Sequence, residues 1–182
     1  VLYYQHFQID EGDFEGVHEG EQNEDGHFYI DSVQAWQDSF ARAIIDAGAS
    51  MYLGHGHRGF DGIEIYRVRP LIRQFGGFAY HAMRDIGGYP GEDTFWGLLG
   101  GLSVKDGSVT RMEFIPLVLN EGRDLIDQYG HMEFLRRRGM PEVATGELAD
   151  SILLRLHDLS EGYGTEIQIA NQRAVLEIHS GG

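Results

Sequence analysis

Apolar positions along this chain fall into short strand-like runs and stretches of helical spacing, and the switches between them outline a mixed α/β protein. Val1-Leu2-Tyr3-Tyr4 reads as a buried strand ending at His6-Phe7. Val33, Trp36, Phe40, Ile44 and Ala47 recur at helical spacing behind an Asp31-Ser32 cap, with Gly48 as the stop. Ser50 to Leu53 returns as a short strand, and Ile63 to Tyr66 and Leu71 to Phe75 read as paired strands around Arg69-Pro70. Phe95 to Val104 and Val109 to Val118 predict a hairpin with Asp106-Gly107 at its tip. Leu148, Ile152, Leu156 and Leu159 line one face of a helix capped by Thr145, and Glu166 to Ala170 with Ala174 to His179 form a last hairpin. Residues 10 to 31 carry no Lys or Arg and are acidic and glycine-studded, which predicts a loop.

Composition narrows the class. A chain of 182 residues that is 42% hydrophobic supports one core, so residues 1–182 are expected to form a single domain. A formal charge of -15 argues against nucleic acid and anionic membrane surfaces, and Arg136-Arg137-Arg138 is too short a basic run to reverse that. With no cysteine there is no disulfide, thiolate metal site or cysteine nucleophile. No apolar stretch approaches the roughly 20 residues that span a bilayer, and no signal sequence stands out. The chain opens at Val1 within an expected strand, as a processed product or excised fragment would.

The main chemical signal is Leu53-Gly54-His55-Gly56-His57, with His6 closing the first apolar run. Two imidazoles one residue apart on a glycine-rich turn can grip a metal ion; the competing interpretation is a surface turn that carries two histidines. Gly54-x-Gly56-x-x-Gly59 matches a dinucleotide fingerprint literally, but Phe60 to Tyr66 continues as turn and strand, with no helix to receive a pyrophosphate. Glu21-x-Asn23-x-Asp25-Gly26 resembles the start of a calcium loop but has Ser32 at the twelfth position. There is no Gly-x-Ser-x-Gly elbow and no Walker lysine motif. Of the remaining histidines, His81 alone is kept as an outside candidate; His18, His27, His131, His157 and His179 lack grip spacing.

Two divalent ions about 3.5–4 Å apart clamp an anionic oxygen and lower the pKa of a bridging water, with carboxylates between them balancing charge. This chain offers three imidazoles, His6, His55 and His57, and no obvious bridging aspartate. Arg58 either faces an anionic substrate or is a solvated arginine. Glu64 either orients a ligand or is an ordinary strand carboxylate.

The run from Gln34-Ala35-Trp36-Gln37 through Asp46-Ala47-Gly48-Ala49, Gly54-His55-Gly56-His57, Gly62-Ile63-Glu64-Ile65-Tyr66 and Arg69-Pro70 resembles the poly-γ-glutamate capsule biosynthesis (CapA-type) family. Ile115-Pro116, the helix near Leu148 to Leu159 and Tyr163-Gly164-Thr165 continue the likeness in order. The resemblance covers the C-terminal half of that family's domain. It implies a calcineurin-like metallophosphoesterase fold, an α/β two-sheet sandwich flanked by helices. It also implies that His6, His55 and His57 bind one or two divalent ions (Mn, Fe or Zn). The family's Asp-x-His, Gly-Asp and Gly-Asn-His-Asp/Glu motifs are all expected to be missing from this sequence and to lie in an N-terminal half that this chain lacks. Phe75-Gly76-Gly77-Phe78 stands where the family usually has Asn or Asp, and Gln5-His6-Phe7-Gln8 where it often carries His-Trp or further histidines.

Two functions follow from the resemblance. One is a metal-dependent phosphoesterase-like hydrolase acting on a phosphoester or an anionic polymer, with metal-bound hydroxide as nucleophile. The other is a non-catalytic component that handles or assembles capsule polymer. A half-domain exposes a strand edge and an apolar face, so the expected partner is the N-terminal half of the same domain or a second copy. The sequence itself does not fix the compartment; the family likeness implies an extracytoplasmic or cell-envelope place.

Overall fold

The computed structural model describes residues 1–6, 35–55, 59–78, 95–120 and 124–179, with the backbone alone at positions 5, 6, 35, 36, 124 and 125. Within these residues the fold is mixed α/β, with two sheets and four helices. The first sheet holds β1 (Leu2–His6), β2 (Met51–His55), β4 (Arg69–Ile72) and β3 (Ile63–Tyr66) in that spatial order. β1, β2 and β4 are parallel, and β3 runs antiparallel to β4. Helix α1 (Ala35–Asp46) lies between β1 and β2 in sequence. The second sheet is antiparallel, in the order β5 (Trp96–Lys105), β6 (Ser108–Leu119), β9 (Arg173–Glu177), β8 (Gln168–Ala170), with β7 (Pro141–Val143) also paired to β6. Helices α2 (Asp124–Tyr129) and α3 (His131–Arg137) join β6 to β7, and α4 (Gly146–Glu161) joins β7 to β8.

The first sheet is apolar on both faces. Tyr52 and Leu71 meet Ala41 and Ile45 of α1 on one side. On the other, Met51, Ile63 and Ile72 join a larger core with Met112 and Phe114 of the second sheet and Ile152 and Leu156 of α4. Burial on both faces explains why β2 reads as a continuous apolar run.

Several expectations are corrected. Among the described strands β1 lies at the edge of its sheet, with Leu2 53% and Tyr4 56% exposed; Tyr3 is the residue that turns inward, stacking on Tyr52 with ring centroids 5.8 Å apart. The buried stripe of α1 is Gln37, Ala41 and Ile45, while Phe40 and Ile44 are half-buried and Ala47 is exposed. Phe40 still packs at the border of this face, edge-on to Tyr3 and Tyr52. The β3–β4 turn is Arg67-Val68, both at positive φ, and Arg69-Pro70 begins the returning strand. Pro70 is opposite Ile65.

The expected loop at 10–31 and the Asp31-Ser32 cap lie outside the described residues. Thr145 occupies the N-cap of α4 in extended conformation, without a side-chain cap bond. The Asp106-Gly107 hairpin and the last hairpin form as expected. On α4, Ile152 and Leu156 are buried as expected, but the rest of the buried face is Ala149, Leu153 and Ser160, with Leu148 and Leu159 half-buried. Among the described residues, no helix is long and apolar enough to cross a membrane.

Candidate functional site

The C-terminal ends of β1, β2 and β4 lie along one edge of the first sheet, the edge where open α/β sheets place ligands. The parallel register sets His6 opposite His55. Neighbouring strands are about 4.8 Å apart, so two histidine positions adjoin at the sheet end. The His55 ring stacks on Tyr4, with centroids 4.9 Å apart and planes 25° from parallel. His57, Arg58 and His81, and the side chain of His6, lie outside the described residues.

Glu64 and Arg73 belong to a buried charge cluster between this sheet and α1. Arg73, 1% exposed, donates to Asp38 and to Glu64 Oε2. Arg42 reaches Glu64 Oε1 at 3.0 Å and Asp38 at 3.4 Å. Two guanidinium groups and two carboxylates therefore balance in a region where a lone charge is costly. Both Glu64 oxygens are held by guanidinium groups, so its place in the structure is that of an anchor for Arg73.

Asp61 lies between β2 and β3, two residues before β3 starts. Its Oδ1 accepts the Gly62 N–H at 2.7 Å and its Oδ2 accepts the Tyr163 hydroxyl at 2.9 Å. Burial raises the Asp61 carboxyl above its ordinary value, against the opposing pull of the Gly62 and Tyr163 donors and of Arg73 and Arg155. Burial likewise pushes the Tyr163 hydroxyl up to about 12, aided by the Asp61 charge. The Tyr163 ring lies 4.5 Å from the Arg73 guanidinium carbon, a cation–π contact joining the two clusters.

The residues that carry the family resemblance thus have local structural roles. Gly62 allows β3 to start against the end of α4, since a Cβ would collide with the Leu159 carbonyl. Tyr66 lies between Arg42 and Arg67, 5.2 and 5.5 Å from its ring centroid. Arg69 donates to the Ile45 and Ala49 carbonyls at the end of α1.

Among the described residues at this sheet end, His55 supplies an imidazole. The described carboxylates do not assemble a bridge for a pair of ions, because Asp38, Glu64 and Asp61 already accept from Arg73, Arg42, Tyr163 and Gly62. The sequence does contain Asp25-Gly26-His27 and Gly12-Asp13, literal matches to two of the motifs expected only in an N-terminal half. Both lie outside the described residues. A second group of donors escaped the sequence reading: His157, Asp158 and Glu161 on α4 offer ligand atoms within 4.8 Å of one another. That group is on the surface, with His157 Nδ1 3.2 Å from Asp158 Oδ1. The spacing i, i+1, i+4 was its one visible signal.

Fold and site define a two-sheet α/β protein with histidines at the C-terminal ends of parallel strands. No family model matches the chain. It is similar to two uncharacterized proteins of Sinorhizobium fredii (strain NBRC 101917 / NGR234), y4sH and y4uA. Each is 31% identical over 170 residues, covering 79% of this chain and 37% of the relative. The chain thus spans little more than a third of the length of these curated relatives.

Proposed function

We propose that this chain carries the histidine-bearing part of a metal-dependent hydrolase of the metallophosphoesterase type, similar to the CapA family and acting on a phosphoester or an anionic polymer. The observation that carries this reading is the register of His6 with His55 at the C-terminal ends of adjacent parallel strands. With His57, they would hold one or two divalent ions (Mn, Fe or Zn). A bound divalent ion supplies Lewis acidity toward an anionic oxygen. Tyr4 backs the His55 ring, and Arg58 is the residue of this turn suited to an anionic group. The acids of a complete site come, in this proposal, from an N-terminal half of the domain or from a second copy. The exposed Leu2 and Tyr4 on edge strand β1 favour such a companion.

One observation favours the non-catalytic reading, in which the fold handles or assembles polymer: the carboxylates described near this sheet end are taken up by guanidinium and hydroxyl donors. Native mass spectrometry of the intact protein with added Mn²⁺, paired with hydrolysis of a model phosphodiester, separates the two. The hydrolase reading expects retained Mn²⁺ and turnover, both lost in His55→Ala. Retained Mn²⁺ without turnover supports the binding reading. A metal-free monomer would remove both the metal and the companion from the proposal.

A further inference from the structure

We infer that the cavity between β3 and the β8–β9 hairpin binds a small alkylammonium ligand, a primary amine carried on a few methylenes; this does not rest on the metal-binding reading above. The cavity measures about 310 Å³, at the lower end of the range that small-molecule sites occupy. Ile65 of the first sheet and Leu176 of the second give it an apolar side, and Thr165, Glu166, Gln168 and Glu177 a polar one.

The fold sets the polar side in place. Gly164, at a φ of 74°, turns the chain after α4 in a conformation that glycine takes freely. Before it, the Tyr163 hydroxyl donates to Asp61 at 2.9 Å; after it, the Thr165 N–H donates to the Ser160 carbonyl at 3.0 Å. Thr165 is only 5% exposed, yet its hydroxyl has no hydrogen-bond partner among the described residues. Nor is that hydroxyl sealed in, as the Tyr52 hydroxyl is, so it opens into the cavity that the residue lines. A polar group left unpaired in a buried residue costs free energy that a ligand can recover. The Glu166 carboxylate and the Gln168 carboxamide also have no partner among the described residues, and Glu177 accepts from Arg111 through Oε1 alone. A primary ammonium carries three donors and no acceptor, the complement of the Glu166 carboxylate, the Thr165 hydroxyl and the Gln168 carbonyl. Ile65 and Leu176 suit the methylenes behind it. The formal charge of -15 draws cations to this surface and repels carboxylates.

The test is NMR titration of the isotope-labelled intact protein with pentylammonium chloride, with 1-pentanol and sodium pentanoate as the neutral and anionic analogues. It is run at about pH 8, above the ordinary imidazole value, because His179 also lines the cavity. Saturable shifts at the Thr165, Gln168 and Leu176 amides are expected with pentylammonium and not with pentanoate. Glu166→Gln, which keeps the shape and removes the charge, is expected to weaken binding about tenfold, the loss of a charge-assisted hydrogen bond. Thr165→Val is expected to weaken it about threefold, as for a neutral one. If Thr165→Val does not fold, Glu166→Gln decides, since Glu166 is exposed and holds no described partner. An absence of saturable shifts overturns the inference. So does binding of pentanol or pentanoate as tight as that of pentylammonium, or an affinity that Glu166→Gln leaves unchanged.

Discussion

A Cβ at Gly62 would run into the Leu159 carbonyl and lie 2.7 Å from the Ser160 nitrogen, so the start of β3 rests directly on the backbone at the end of α4. The neighbouring Ile63 N–H donates to the buried Ser160 hydroxyl at 3.0 Å, which fixes the same approach. Backbone on both sides leaves little to give way. Gly62→Ala is expected to cost about 2 kcal/mol or more, measured by urea unfolding, in the range of overpacked interiors. A change within about 0.5 kcal/mol, the ordinary surface range, would show that the two elements can separate without loss.

Arg73 is the residue whose removal leaves the most charge unbalanced. In Arg73→Met, Glu64 (side chain 11% exposed) keeps only Arg42, and about 3 kcal/mol of stability should be lost. Asp38→Asn should cost about 1 kcal/mol or less, because Asp38 is 37% exposed and screened by water. Added salt should shrink the Asp38 effect and spare the Arg73 effect. Equal costs at the two positions would contradict the burial-based ranking.

The Asp61 carboxyl is raised in the folded protein, chiefly by burial. Folding therefore favours its protonated form. Its contribution to stability is present below the unfolded value and is lost as pH rises through the folded value. The stability of the wild type relative to Asp61→Asn should accordingly fall as pH rises across that window, and level off above it. Denaturation of both proteins across the acid range checks the sign, and a relative stability that climbs with pH would reverse the assignment.

Val68 adopts a φ of 61° in the two-residue turn between β3 and β4, a conformation that β-branched residues rarely take. The turn joins antiparallel strands closely and needs positive φ at both central positions. Val68→Gly should raise stability by about 1 kcal/mol, the order of the left-handed penalty it relieves. A lower urea midpoint in this variant would mean that the half-exposed Val68 side chain contributes more packing than its backbone costs.

These residues also mark what could be read in advance. Asp106-Gly107 announces its hairpin because both residues accept positive φ, which the structure shows at 51° and 78°. Arg67-Val68 announces nothing, since neither residue prefers that conformation, and the nearby proline drew the expected turn two positions too late. The α1 stripe was displaced by one position because helical spacing fits either neighbouring face until the partner surface is known. Residues 124–143 hold two short helices and β7, which forms by pairing with β6 more than 20 positions away in sequence.

At the site, the strand that ends at His55 was visible locally, while the expected turn at 56–58 lies outside the described residues. Strand periodicity, the Asp-Gly hairpin and the amphipathic α4 were determined by the sequence alone, because each depends on side chains within a few positions of one another. The tertiary structure decided which strands adjoin, and so set His6 opposite His55. It decided that Glu64 meets Arg73 and Arg42, and that Tyr163 reaches Asp61. A buried carboxylate takes whichever donor the packed core brings to it, and that depends on long-range contacts that no local pattern encodes.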